Sequence, residues 1–241
     1  MKNMLGSKTI SRGLAACSLM LCLSVTTLVK ADQAAQNERI QAAADVLKQL
    51  SDASSGLPRG LLNQSGCVII LPSVKKAAFI VGAQYGRGVM VCRKGRNFNG
   101  KWSAPVMMQS TGGSFGLQAG GQATDFVLLV LNDKGAQNIL NGKVKLGAEA
   151  SVAAGPVGRN AEAATNGGMN AQILSYSRAN GVFAGASLSG TSLGPSGSDN
   201  KELYGKEVTG PGIVAGVAVK PPDSAKDLED LITKLSPSRK S

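Results

Sequence analysis

Residues 110–130 read STGGSFGLQAGGQATDFVLLV. Two readings compete here and lead to different folds. Gly112–Gly116, GGSFG, fits G-x-S-x-G, the sharp strand-to-helix turn that presents a serine nucleophile in many hydrolases. Alternatively, the glycines belong to closely approaching strands, and TDFVLLVLN (residues 124–132) is a buried strand apolar on both faces. Composition decides between them. The 241-residue chain contains no histidine, so the usual base for such a serine is missing. Ser114 therefore reads as a structural residue in a glycine-rich β region.

The same composition sets the class. The chain is long enough for one domain with a real core. Its 31 glycines and 4% aromatic residues suit tight turns and close strands better than a pocket lined with rings. Without histidine, a metal-ligand cluster or suitably paired carboxylates, enzymatic chemistry is disfavoured and no cofactor is expected.

The first 31 residues read as a secretory signal. MKNMLGSKTISRG carries Lys2, Lys8 and Arg12 with no acid, and an apolar run over residues 14–29 follows. Val29-Lys30-Ala31 suits cleavage after Ala31, and an uncleaved anchor is the rival reading. Leu14-Ala15-Ala16-Cys17 spells a lipobox, but the apolar run follows the cysteine instead of preceding it. Cleavage leaves Cys67 and Cys92. In an exported protein these form one disulfide or stay as two small buried thiols.

The charge is uneven. The whole chain carries +11, and removing the four cations of residues 1–31 leaves +7. No Asp or Glu occurs between Asp52 and Asp125, an interval holding Arg59, Lys75, Lys76, Arg87, Arg93, Lys94, Arg96 and Lys101. Such a stretch projects positive potential toward anionic membrane surfaces or acidic polymers. Export and the scarcity of aromatics to stack bases argue against nucleic acid.

Working outward, residues 33–54 read as a helix with Ile40, Ala43, Ala44, Leu47 and Leu50 on one stripe, docked on the domain or lying at a lipid interface. Pro58 begins a short second helix. CVIILP, AAFIVGAQ and RGVMVCRK read as three strands with bends at residues 73–76 and 84–86. In the last, Arg87, Val89, Val91 and Arg93 share a face opposite Met90 and Cys92. Residues 97–100 form a turn and residues 101–108 a strand. DKGAQNIL is a short helix, and VKLGAEASVAAG, MNAQILSYSR and GVFAGASLSG are further strands. NKELYGKEV contains a short helix in a Gly/Pro-rich region. The tail PPDSAKDLEDLITKLSP is a helix capped at Asp223 or Ser224, with Leu228, Leu231, Ile232 and Leu235 as its stripe. Asp125 reads as a turn cap, and Arg159 with Glu162 as a local salt bridge. The architecture expected is α+β: an antiparallel, curved or barrel-like sheet with flanking N- and C-terminal helices.

Several phrases then fall in a familiar order: LLNQSGCVIILPSVKKAAFIVGAQYGRGVMV, KWSAPVMMQSTGGSFGLQAGGQATDFVLLVLN, VKLGAEASVAAGPVGRNAEAA, ILSYSRANGVFAGASLSGTSL and NKELYG. Together they resemble the SYLF family, a lipid-binding domain, over roughly residues 45–235, in the manner of bacterial exported single-domain members. The resemblance implies one domain over residues 32–241 that binds acidic phospholipids, phosphoinositides in eukaryotic members, through a basic surface and N-terminal helix. The positions matching that surface are Lys75, Lys76, Arg87 and Arg93, with Lys94, Arg96 and Lys101 nearby. It implies no catalytic residues. A peripheral membrane location follows, with an acidic envelope protein as the alternative partner.

Overall fold

The computed structural model describes residues 32–53, 57–78, 81–95, 97–115, 120–157, 171–179, 182–186, 188–217 and 219–238. The signal-like segment, Arg96, Arg159 and Glu162 lie outside the described residues.

Within the acid-free stretch, the three short strands expected over CVIILP, AAFIVGAQ and RGVMVCRK are replaced by two long ones, β1 (Cys67–Ala78) and β2 (Val81–Cys92). They pair antiparallel, with Cys67 opposite Cys92 and Lys75 opposite Tyr85. The expected bend near Ser73 is a bulge inside β1. Register shifts there against both β2 and β4, and Ser73 has φ 51°. Leu71 and Val74 consequently face the same core layer, although strict alternation would separate them. The carboxylate of Asp125 accepts the Ser73 N–H at 2.9 Å, so Asp125 caps this irregularity.

GGSFG lies within β3 (Val106–Phe115), and β4 (Gly120–Val130) carries the buried TDFVLLV. Ser114 pairs in register with Gly82 of β2. Its backbone is a regular ladder, unlike the sharp turn a nucleophile elbow requires. The remaining strands are β5 (Val144–Lys145), β6 (Val152–Ala154), β7 (Ile173–Ala179), β8 (Val182–Gly185) and β9 (Thr191–Pro195). Their order is β5-β9-β3-β2-β1-β4-β7-β6, with β8 also on β7. Pairing between the strands is antiparallel, as expected, except between β6 and β7, and the sheet is strongly curled. Gly88 shows how tight the curl is. A Cβ there would lie 2.0 Å from the Ile70 carbonyl oxygen beside the bulge.

Period-2 alternation sends side chains to two apolar layers. Val68, Ile70, Val89, Val91, Met107, Val127 and Leu129 meet the helical layer. That layer comprises α1 (residues 32–52), α2 (Arg59–Gln64) and α6 (Lys226–Leu235). Ile40, Ala43, Leu47 and Leu50 are fully buried, so the α1 stripe docks on the domain. Ile69, Met90, Val106, Met108, Phe126 and Leu128 pack the other way, against α3 (Asp133–Asn141) and α5 (Gly210–Ala215). Helix α4 (Gly197–Tyr204) sits beside β3, where the Asn200 amide bonds the Met107 N–H at 2.8 Å and carbonyl at 3.1 Å.

The tail differs from expectation at its start. Asp223–Ala225 form a 3-10 turn and α6 begins without a side-chain cap. Ser224 instead donates to Asn37 of α1 at 2.8 Å, tying the two terminal helices together. No described helix is long and apolar enough to cross a membrane.

Candidate functional site

The helical layer ends at a charged rim. On β2, Val91 and Val89 are buried beneath the helices, and the next residue on that face is Arg87. Arg87 lies 3.3 Å from Asp199 of α4, and Arg39 of α1 approaches the same carboxylate at 3.6 Å. Asp199 is only 1% exposed, whereas Arg87 is 41% exposed. Burial depresses the Arg39 pKa; Asp199 opposes that shift and Arg87 adds to it. Gln36 accepts from Arg39 and donates to Glu202 at 2.6 Å, bringing a second carboxylate into the network.

Further along the rim, Tyr85 is 44% exposed. Its hydroxyl accepts from Arg87 Nε, and this bond raises the Arg87 pKa. The guanidinium carbon lies 5.7 Å from the tyrosine ring centroid. Lys75, opposite Tyr85 on β1, is exposed. The Arg178–Asp125 pair, at 3.3 Å, occupies the same end of the sheet. On the other face Lys76 extends over Phe126, 5.1 Å from its centroid.

The opposite end of β2 has a different character. Cys67 and Cys92 form a disulfide across paired strands, with Cα atoms 4.0 Å apart. Arg93 is fully buried, which corrects its assignment to a lipid-contacting surface. It donates to Ser236 Oγ at 2.6 Å and to the carbonyls of Ser236 and Pro237 at 3.2 and 2.9 Å. Its guanidinium stacks 4.4 Å over Trp102, whose Nε1 also donates to the Ser236 carbonyl at 2.8 Å. The reason is geometric. Arg93 shares its face with Val89 and Val91, and the end of α6 closes over that face.

Lys94 and Lys101 leave the buried latch on a turn, joined by a backbone hydrogen bond of 2.8 Å. Lys101 is exposed and Lys94 half-buried. Glu229 of α6 faces Lys94. Burial raises the Glu229 pKa, the lysine opposes the rise and Asp230 adds to it.

The expected single basic patch is therefore divided. Lys75, Lys76 and Arg87 gather at one end of the hairpin, and Lys94 and Lys101 at the other, separated by up to about 30 Å along the strand. Arg93 belongs to the interior. Three residues of the rim escaped the sequence reading: Arg39, Tyr85 and Asp199. Arg39 lies off the apolar stripe of α1, where a charged side chain carries no signal for a distant partner. Asp199, in GSDN, carries an N-terminal-turn signal for α4 but none for pairing with Arg87.

Fold and rim together define an α+β domain built on one curled, mixed sheet, with terminal helices on one face and a cation-and-tyrosine rim where they stop. A family model described as Ysc84, Las17-binding protein actin regulator, matches residues 111–235. The chain belongs to this Ysc84 or SYLF family. An SH3 domain-containing protein of Schizosaccharomyces pombe is 40% identical over 169 residues, covering 68% of this chain and 38% of its own length. Protein YSC84 of Saccharomyces cerevisiae is 33% identical over 178 residues, 72% of this chain and 37% of the relative. SH3 domain-containing YSC84-like protein 1 of Homo sapiens is 30% identical over 201 residues, 80% and 57% of the two chains. The chain thus spans less than two thirds of each of these curated relatives.

Proposed function

We propose that this chain is a non-enzymatic binding module that contacts anionic phospholipid surfaces through the rim of Lys75, Tyr85 and Arg87. The observation carrying this reading is Tyr85, exposed between two cations at the end of the helical layer. A tyrosine has an apolar body and a polar tip, the balance found at membrane–water interfaces. Each neighbouring cation contributes up to about 1 kcal/mol near an anionic bilayer. Lys76 strengthens the field from the other face. An exported setting fits the signal-like N-terminus and the Cys67–Cys92 disulfide, a bond favoured by oxidising compartments.

Flotation with neutral and anionic vesicles tests the rim. Binding should require anionic lipid and drop about tenfold in the double variant Lys75→Glu/Tyr85→Ser, with folding unchanged by circular dichroism. Equal binding by the variant would remove the rim from the interface.

A second reading, docking of an acidic protein, is favoured by relatives such as LAS seventeen-binding protein 3 of Saccharomyces cerevisiae, 34% identical over 185 residues, whose name describes a protein partner. Crosslinking in cells that yields a rim–protein adduct and no lipid adduct would support it.

A further inference from the structure

Far from the rim, a groove of about 490 Å³ opens between the 94–101 turn, α3 and α5. Its apolar wall comes from Phe98, Leu140, Pro211, Val214 and Ala215. Phe98, Leu140 and Val214 are outer members of the second core layer, so the floor is anchored in packed structure. Gly95 has φ 95° and Phe98 φ 47°, and the Phe98 Cβ lies 3.0 Å from where a Cβ on Gly66 would stand. The polar lining consists mainly of two side-chain amides, Gln137 and Asn141. Just past α5, Val217 is 87% exposed, the larger exposure of the two big apolar side chains left open among the described residues.

The charge surrounding this apolar wall is one-sided. Among the described residues no carboxylate lines the groove. Lys94 reaches its α5 end, with Nζ 3.3 Å from where a Cβ on Gly216 would stand. Lys101 is exposed on the same turn, and Lys143 is exposed two residues after Asn141. The nearby acid, Glu229, faces Lys94 from α6, and burial disfavours its charged form. Asp133 lies at the opposite end of α3 from Leu140 and Asn141.

We propose that this groove docks a peptide segment of a protein partner that inserts apolar side chains and flanks them with carboxylates. The apolar wall and exposed Val217 supply the anchor surface, and Lys94, Lys101 and Lys143 select the charge. A basic or neutral segment of equal hydrophobicity would forgo that selection. The chain would then carry two contacts at opposite ends of one hairpin: the rim for an anionic surface and the groove for an acidic segment. The groove does not depend on the rim reading, and the test separates them.

Selection of a displayed library of random short peptides on the full chain gives the probe. The expected consensus pairs Leu, Ile or Phe with Asp or Glu. A fluorescent consensus peptide should lose about tenfold or more in affinity on Ala215→Glu and on the double variant Lys101→Glu/Lys143→Glu. It should bind Lys75→Glu/Tyr85→Ser unchanged. A basic consensus, or affinity unaffected by Ala215→Glu, overturns the proposal. So does loss of peptide binding only in the rim variant. Saturable laurate binding abolished by Ala215→Glu, without an acidic peptide consensus, would assign the groove to an acyl chain instead. A dimer in sedimentation that Ala215→Glu dissociates would assign it to a second copy. Each of these last two outcomes also refutes the peptide assignment.

Discussion

Arg93 and Ser236 are 143 residues apart in sequence and in direct contact, the guanidinium donating to the serine hydroxyl at 2.6 Å. Ser236 Oγ is also within 2.6 Å of Asn63 Oδ1 and accepts from Arg93, so α2, β2 and the end of α6 meet at one hydroxyl. Lysine keeps the charge but cannot reproduce a planar fork that serves two carbonyls and a hydroxyl while stacking on Trp102. Arg93→Lys should therefore cost about 2–4 kcal/mol of stability, read from the urea midpoint. Anionic-vesicle binding of the folded variant should be unchanged. A variant that kept its stability and lost vesicle binding would return Arg93 to the surface.

The Cys67–Cys92 bond joins the outer ends of β1 and β2 across a sequence separation of 25. Closing a loop of that size restricts the unfolded chain by about 3 kcal/mol. Reductant, or the double variant Cys67→Ala/Cys92→Ala, should lower the midpoint accordingly. Thiol titration of the denatured, unreduced protein should find neither cysteine free. Two titratable thiols at these positions in protein taken from its native compartment would contradict the bond.

Glu229 supplies a pH signature. Its pKa is raised in the folded protein, chiefly by burial, so the fold disfavours the ionised form. Stability should therefore be greater at acidic pH and fall as pH rises through the raised pKa. Glu229→Gln should flatten that part of the profile and stabilise the protein at neutral pH. The gain should be at most about 1 kcal/mol, because the half-buried carboxyl is screened by water. A destabilised variant at pH 7 would mean that attraction to Lys94 outweighs desolvation.

The contrast between Arg87 and Arg93 shows how far local pattern carries. Alternation correctly puts Arg87, Val89, Val91 and Arg93 on one face, but whether that face meets water is decided elsewhere in the chain. Ser236 covers Arg93, and Asp199 holds Arg87 at the edge of the cover. The α1 and α6 stripes were legible because their apolar spacing is local and regular. The bulge at Ser73 looked like a chain bend because Pro-Ser punctuates an apolar run in either case. TSLGP, which forms β9, was not among the expected strands, and only its last two residues reach the Gly/Pro-rich region. Its strand character comes from pairing with β3 and β5, beyond the reach of local propensity.

Asp199 offers the sharpest test of the rim. Its buried carboxylate stands between Arg39 and Arg87, restraining the more exposed guanidinium. Asp199→Asn preserves shape but removes the charge both arginines face. Folding stability should fall by about 1–3 kcal/mol, below the roughly 3–5 kcal/mol of a fully buried broken pair, because both arginines retain access to water. Membrane affinity should move in the opposite direction. Releasing one cation adds up to about 1 kcal/mol of attraction to an anionic bilayer, about fivefold in partitioning. Adding Arg87→Gln to this variant should cancel that gain without restoring stability. Less stable protein with unchanged partitioning would show that Arg87 serves the fold alone, leaving Lys75 and Tyr85 to account for any binding at the rim.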